Sequence, residues 1–430
     1  MKFNKNHEIF DSIAAGRPDC ELIFLESQMK EHPSSIRSFA AIKPKRWIRA
    51  AEERITIFDG TETREFSMDP WDALKKFKNS KKCWLFGYLG YDLKNNCEEL
   101  QSKNKSLYQL PDLYFMEPES LLIIENGEIQ EVGLPIPHLP SGPESDIKIP
   151  RQEIEVKELI TKDDYVQAVK KIKERITEGD FYELNFSYAM RAEWHKPAYE
   201  LYKKMRDINP VPFGAFIKMR EGAVCSISPE RFLKKEGNQI VSEPIKGTSE
   251  RSENKQDDER LKQDLLNEKN RAENLMIVDL VRHDLSRISK IGSVKVQNLF
   301  DVQTFGTVHQ LISTIAAEAE KDTDSVDIIR KCFPMGSMTG APKVAVMKAI
   351  EELENYRRGV YSGAIGYFNP NDDFDFNVVI RTAILQNNIV VYPVGGAITS
   401  DSDAELEWEE TIIKARSLTK VFLKDAGLTK

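Results

Sequence analysis

The sequence predicts an α+β fold, and three observations predict it. Short apolar segments alternating with polar residues recur along the chain: Tyr182, Leu184, Phe186 and Tyr188 alternate with Glu183, Asn185 and Ser187. Segments of helical period with capping residues lie among them. Neither the GxGxxG nor the GxxxxGK[ST] spacing occurs, so nucleotide-binding folds lose support.

Residues 1 to about 135 read as mixed sheet and helix. Leu22 to Leu25 is a buried strand running into Glu26 and Ser27, and Trp47 to Ala50 and Arg54 to Phe58 are strands, the latter closed by Asp59-Gly60. Asp69 is placed to cap a helix whose first residue is Pro70. The glycines among aromatics in Trp84 to Asp92 suit close backbone packing rather than a phosphate loop. Leu121 to Ile124 and Asn126-Gly127 make a further strand and turn. Prolines 135, 137, 140, 143 and 150, with Gly142, mark a linker over 136–155 between regions 1–135 and 156–426.

Beyond the linker, Tyr165, Val169, Ile172 and Ile176 share one face of a helix over 163–178 that Gly179 ends. Strands follow at Phe213 to Met219 and Val224 to Ile227. Ser242 to Thr248 is a turn holding Lys246: Pro244 favours extended chain before it, and Gly247 allows a tight bend or close ligand approach. The charged run from Glu250 to Lys269 reads as a solvated helix face, turning apolar at Leu275 to Val278 beside Glu273. Gly336 to Lys343 places small and hydroxyl residues before a helix over 341–356, an arrangement suited to an anion. Strands are expected at Gly363 to Phe368 and Phe376 to Leu385, the second carrying Arg381. Ser402 is placed to cap a last helix from Asp403 to Leu423, on which Glu407, Glu410 and Lys414 share a face while Trp408, Ile412 and Ala415 face the core.

Composition narrows the function. With 430 residues, 40% of them hydrophobic, the chain can build a large core. A net charge of -8 argues against nucleic acid and requires local cations or a metal wherever an anion binds. Five scattered cysteines without CxxC spacing speak against a disulfide scaffold or zinc module. No apolar run spans a membrane and no secretory leader is evident, so a cytoplasmic, reducing location is expected.

The chemistry-bearing residues lie in the second half. Glu273 and the Glu407/Glu410 pair sit on two helices. They suit either a salt-bridged helix pair or Mg²⁺, which keeps waters and takes one or two carboxylates. Arg381, after Val378-Val379-Ile380, needs an anion if buried. His309 suits either a satisfied core position or catalysis.

Asn270 to Leu280, Ser228-Pro229-Glu230-Arg231-Phe232, Gly336 to Lys343, Ile380-Arg381-Thr382 and Asp401 to Lys414 together resemble, in order, the signature of the chorismate-utilising enzymes. The resemblance covers residues 160–425; Leu25-Glu26-Ser27 and Gly87 to Asp92 extend it loosely to the first half. It implies an α/β sandwich of two packed antiparallel-rich sheets with helices outside. Pro244-Ile245-Lys246-Gly247-Thr248 is similar to the aminodeoxychorismate synthase component I branch; anthranilate synthases usually carry alanine where Lys246 stands. The implied reaction aminates chorismate at C4, towards 4-aminobenzoate and folate. Lys246 attacks C2, Glu230 protonates the departing hydroxyl, and His309 positions the substrate near C4. By the same resemblance, Glu273 and Glu410 bind Mg²⁺ at the ring carboxylate, with Glu407 acting through water, and Gly247 and Thr248 donate to that carboxylate. Tyr367, Arg381 and the backbone of Gly395, Gly396 and Ala397 hold the enolpyruvyl carboxylate, with Lys414 adding positive charge.

Ala397 departs from the family's usual glycine, and Glu183 stands where related synthases often have glutamine and isochorismate synthases a lysine base. No Cys/His/Glu glutaminase unit is evident, so ammonia arrives free or from the glutamine amidotransferase subunit that the family implies. Glu26 and Ser27 resemble part of the family's tryptophan pocket. The rival expectations are anthranilate synthase component I and an inactive chorismate- or tryptophan-binding regulator.

Overall fold

The computed structural model describes residues 5–29, 36–136, 155–305 and 308–425. Most of the expected linker, 137–154, lies outside the described residues.

The architecture follows from two long strands that bend. Arg37–Ala51 and Leu113–Glu125 pair antiparallel along most of their length, and the register shifts between Pro44 and Arg46, opposite Pro118. Lys43 has φ 56°. Proline cannot donate to a ladder, so a break here is natural. On one side of the bend Ala40, Ile42, Leu122 and Ile124 face one core; on the other Ile48, Ala50, Leu113 and Phe115 face a second. The alternate residues Phe39, Ala41, Tyr114, Met116 and Ile123 face a third core enclosed between the two halves.

Every pairing between named strands is antiparallel, and the strands form one hydrogen-bonded network. The two expected sheets are therefore two halves of a continuous sheet. Helices cover both outer faces: Lys5–Ala15, Lys162–Glu178, Ala198–Ile208, Lys343–Leu353 and Ala404–Asp425 on one, Pro70–Asn79, Glu268–Ser286 and Ser325–Cys332 on the other. Strands from before and after the linker pair directly, as Leu22–Glu26 with Phe213–Lys218 and Leu85–Leu89 with Ala364–Phe368.

Several local expectations change. The strand expected over Phe376 to Leu385 is two strands, Phe374–Val378 and Thr382–Gln386, separated at Arg381, which has φ 50°. The last helix is capped by Asp403, whose carboxylate accepts from Glu405 and Leu406 N–H, not by Ser402. Lys255–Asp264, in the charged run, has no buried residue. All five cysteines are free, and among the described residues no helix is long and apolar enough to cross a membrane.

Candidate active site

Lys246 lies on the short strand Ile245–Glu250, paired with Val308–Glu318. The register breaks between Ile245 and Thr248, where Gly247 takes φ +90°, a conformation glycine adopts without penalty. Lys246 Nζ donates to Glu183 Oε1 at 2.9 Å; the lysine side chain is 11% exposed and the glutamate 0%. Burial alone would lower the pKa of Lys246, but Glu183, Glu273 and Glu230 outweigh it and hold the ammonium above its ordinary value.

Glu183 opens the buried strand Glu183–Glu193, whose neighbour is the glycine-bearing strand Ile389–Ile398. Gly395, Gly396 and Ala397 pair there with Ser187, Phe186 and Asn185. A Cβ on Gly396 would come within 3.4 Å of Glu407 and 3.6 Å of Lys414 Nζ, so this backbone lies against the last helix's charged face. Lys414 donates to Gly395 O at 3.0 Å and pairs with Glu410 at 2.7 Å.

Glu230 is held by its neighbour in sequence. Arg231 forks onto Asp375, with both bonds at 2.9 Å, and also binds Glu243. Phe232 enters the core, and Glu230 is buried at the end of the turn. Burial pushes its pKa up to about 7, against the lowering pull of Ser337, Lys246, the Ile245 backbone and Arg381. The Gly336 to Lys343 segment thus meets a carboxyl rather than forming a free anion site. Its Lys343 is committed to Asp284 at 2.6 Å and Cys332 O at 3.0 Å.

Glu273 and Glu407, from two helices, both approach Lys269 Nζ, at 3.9 and 3.6 Å. Burial raises the pKa of Glu273, with Glu183 and Glu407 adding to the rise. Lys414, then Lys269 and Lys246, keep that of Glu410 low. An ammonium therefore stands among carboxylates, an environment that fits a hard cation. No three His, Cys, Asp or Glu side chains close around one point among the described residues, so an ion here would keep waters or substrate oxygens.

Among the described residues, the Arg381 side chain makes no hydrogen bond or ion pair; only its backbone carbonyl is engaged, by Ile227 N–H at 3.2 Å. Burial lowers its pKa, opposed by Tyr392 and Glu230. Tyr392 thus stands beside Arg381; its place on an ordinary apolar strand carried no sequence signal. Tyr367 does not share this position. It packs on Phe39, Trp84 and Phe86 and lines a second cavity of about 160 Å³ with Glu26, Ser27, Phe213 and Asp375. The cause is alternation: Tyr367 on Ala364–Phe368 points into the inner core. Glu26 in that cavity accepts from Tyr202 at 2.7 Å and Arg206 at 3.4 Å, and Ser27 Oγ donates to Arg37 O at 2.7 Å.

His309 is buried beside the lysine strand, opposite Ser249. Its Nδ1 meets Thr304 Oγ1 at 2.9 Å and its Nε2 meets Asp258 at 3.0 Å, so both ring nitrogens are engaged. Thr248 is exposed. Arg358, which the sequence did not single out, is buried and binds Glu354 twice, Met338 O and Asn185 O at 2.7 Å each, and Ser362 Oγ.

A bent antiparallel sheet with a largely buried lysine, flanking carboxylates and an arginine whose side chain has no ion-pair partner among the described residues matches a known class. Residues 21–420 fit the family model of chorismate binding enzymes, and the chain belongs to that family. A probable chloroplastic aminodeoxychorismate synthase of Oryza sativa subsp. japonica is 35% identical over 383 residues, covering 78% of this chain but 43% of that protein. Aminodeoxychorismate synthase component 1 of Bacillus subtilis is 34% identical over 356 residues, covering 78% of this chain and 76% of that protein. Anthranilate synthase component I from Streptococcus pneumoniae TIGR4 superposes with a TM-score of 0.78 at 26% identity, over 91% of this chain and 93% of that one. This chain therefore spans less than half of the rice protein.

Proposed function

We propose that this chain aminates chorismate at C4 to give 4-amino-4-deoxychorismate, towards 4-aminobenzoate and folate. The observation that carries the reading is Lys246, a largely buried amine among carboxylates where anthranilate synthases of the family usually carry alanine. Lys246, as the free amine, forms a bond to ring carbon C2. The ring double bond shifts and the C4–O bond breaks. Glu230, half protonated near neutral pH, supplies the proton with which the hydroxyl leaves as water. Ammonia then bonds at C4 and expels Lys246. Arg381, whose side chain has no partner among the described residues, takes a substrate carboxylate, assisted by the Gly395–Ala397 backbone. His309, anchored by Thr304 and Asp258, packs behind the lysine strand and fixes its position. Glu273 and Glu410, with Glu407 behind them, would hold Mg²⁺, which neutralises the ring carboxylate when bound.

The nitrogen is supplied by a glutamine amidotransferase partner, a reading supported by the component 1 name of the Bacillus subtilis relative. Free cysteines and the absence of a membrane-spanning helix among the described residues support a cytoplasmic location. The test is incubation with chorismate, Mg²⁺ and ammonium, with products identified by mass spectrometry. An aminated chorismate that keeps its enolpyruvyl group, lost in Lys246→Ala, is expected. Anthranilate as product would assign the chain to the other branch. Chorismate binding without turnover, even with the amidotransferase added, would make it a regulator.

A further inference from the structure

We propose that Glu183 is the proton acceptor that converts the Lys246 ammonium into the attacking amine. The inference rests on the reading of Lys246 as nucleophile. The two side chains are already in hydrogen-bond contact at 2.9 Å through Glu183 Oε1, a distance across which a proton passes directly. The other oxygen, Oε2, is buried without a hydrogen-bond partner among the described residues. A carboxylate serving only as a clamp for an ammonium is normally satisfied on both oxygens when fully buried. A bare buried oxygen therefore marks a carboxylate whose hydrogen-bonding capacity the lysine alone does not use.

The surroundings make an acceptor in contact necessary. Glu230 and Glu273 act on Lys246 together with Glu183 and favour its ammonium, so forming the amine calls for a base within hydrogen-bond reach. Lys269 faces Glu273 from the helix Glu268–Ser286, and Arg381 acts on Glu230. Transfer from Lys246 to Glu183 replaces two buried charges by two neutral groups. The acceptor is also rigid. Glu183 pairs with Ala341, and Gly340, at φ +137°, lies so close that a Cβ would strike the Glu183 carbonyl. Asn185 N–H, two residues on, donates to Thr339 O at 2.8 Å.

The protons balance. One passes from Nζ to Oε1, leaving amine and carboxylic acid. The amine bonds to C2 while Glu230 protonates the departing hydroxyl. When ammonia bonds at C4, Lys246 leaves as the neutral amine and recovers its proton from Glu183. Glu230 recovers one from the new ammonium at C4.

The test is single-turnover formation of the Lys246–chorismate adduct, without ammonium, in wild type and Glu183→Gln. Glutamine keeps the shape and the acceptor oxygen but is not a base. The ratio of variant to wild-type rate is expected to fall about a hundredfold near neutral pH and to recover about tenfold per pH unit, as solvent base takes over. A ratio that is constant with pH, or near one, would overturn the proposal, because a merely structural partner slows the reaction equally at every pH. A second measurement needs no chorismate: labelling of Lys246 by trinitrobenzenesulfonate against pH, read by peptide mass spectrometry. The labelling midpoint is expected to move to lower pH in Glu183→Gln, and an unmoved midpoint would also overturn the proposal. If the wild type forms no adduct and Lys246→Ala turns over normally while the midpoint shifts, the nucleophile reading has failed and the Lys246–Glu183 coupling stands.

Discussion

Glu230 and Arg381 are each held in their less comfortable state. Glu230 has a pKa raised to about 7 in the folded chain, from an ordinary value near 4.5, because burial disfavours its charge. The raised value means that its contribution to stability is fully present below the unfolded pKa and is lost as pH rises through about 7. Glu230→Gln, which cannot ionise, should therefore be more stable than wild type at mildly alkaline pH by up to about 3 kcal/mol, with the gain shrinking as pH falls to the unfolded value. Urea unfolding at the two pH values checks this; equal differences at both would mean that Glu230 does not titrate there. Arg381 shows the same logic for a cation. Its guanidinium is desolvated without a partner among the described residues, at a residue with φ 50°. Arg381→Met should weaken chorismate binding roughly a hundredfold without lowering the melting temperature. Unchanged affinity by calorimetry would remove Arg381 from the substrate site.

At the scale of elements, the last helix shows two neighbouring residues with different duties. Asp403 caps Ala404–Asp425 through the N–H groups of Glu405 and Leu406. Ser402 accepts from Thr399 N–H and donates to Glu407 at 2.7 Å. Asp403→Ala should cost about 1 kcal/mol of stability, read by denaturant unfolding. On the proposed reading of the Mg²⁺ site, Ser402→Ala should instead raise the Mg²⁺ concentration needed for half-maximal turnover, since Glu407 loses the donor that orients it. A reversed pattern would restore Ser402 as the cap. The sequence rule allowed either residue, because both types cap helices and Glu405 lies near both. The strand rule failed similarly at Arg381. The apolar run Val378-Val379-Ile380 reads as continuous strand, but Val379 N–H bonds to Gly363 O, drawing the chain out of line before Thr382 resumes the ladder.

At the scale of the molecule, Arg358 joins what the chain order separates. It ties the strand of Glu183 to the Gly336–Met338 turn and to Ser362, while Glu354 neutralises it. Ser187 N–H and hydroxyl bind the same Glu354, so the whole cluster is satisfied. Arg358→Met leaves Glu354 charged and unpaired in the interior and should cost about 3–5 kcal/mol. Adding Glu354→Gln should recover part of this loss; thermal melts of the single and double variants read both effects. No recovery in the double variant would mean that the hydrogen bonds to Met338 and Asn185, rather than the charge pair, carry the stability.

The sequence by itself determined the periodic and the motif-borne features. Alternation and capping residues marked Lys162–Glu178, Glu183–Glu193, Phe213–Lys218 and the start of Pro70–Asn79, because these depend on local backbone and burial preferences. The motifs marked Lys246, Glu230, Glu273 and Arg381, because each sits in a distinctive local run. Only the tertiary structure decided which side chains meet. The Lys246–Glu183 contact joins residues 63 positions apart, and the bend that lets one sheet enclose its own core depends on strands paired across the linker. It likewise sent Tyr367 to the second cavity and set Tyr392 beside Arg381. These are long-range choices: a strand's alternation says which residues share a face, but the strand's neighbours decide what that face meets.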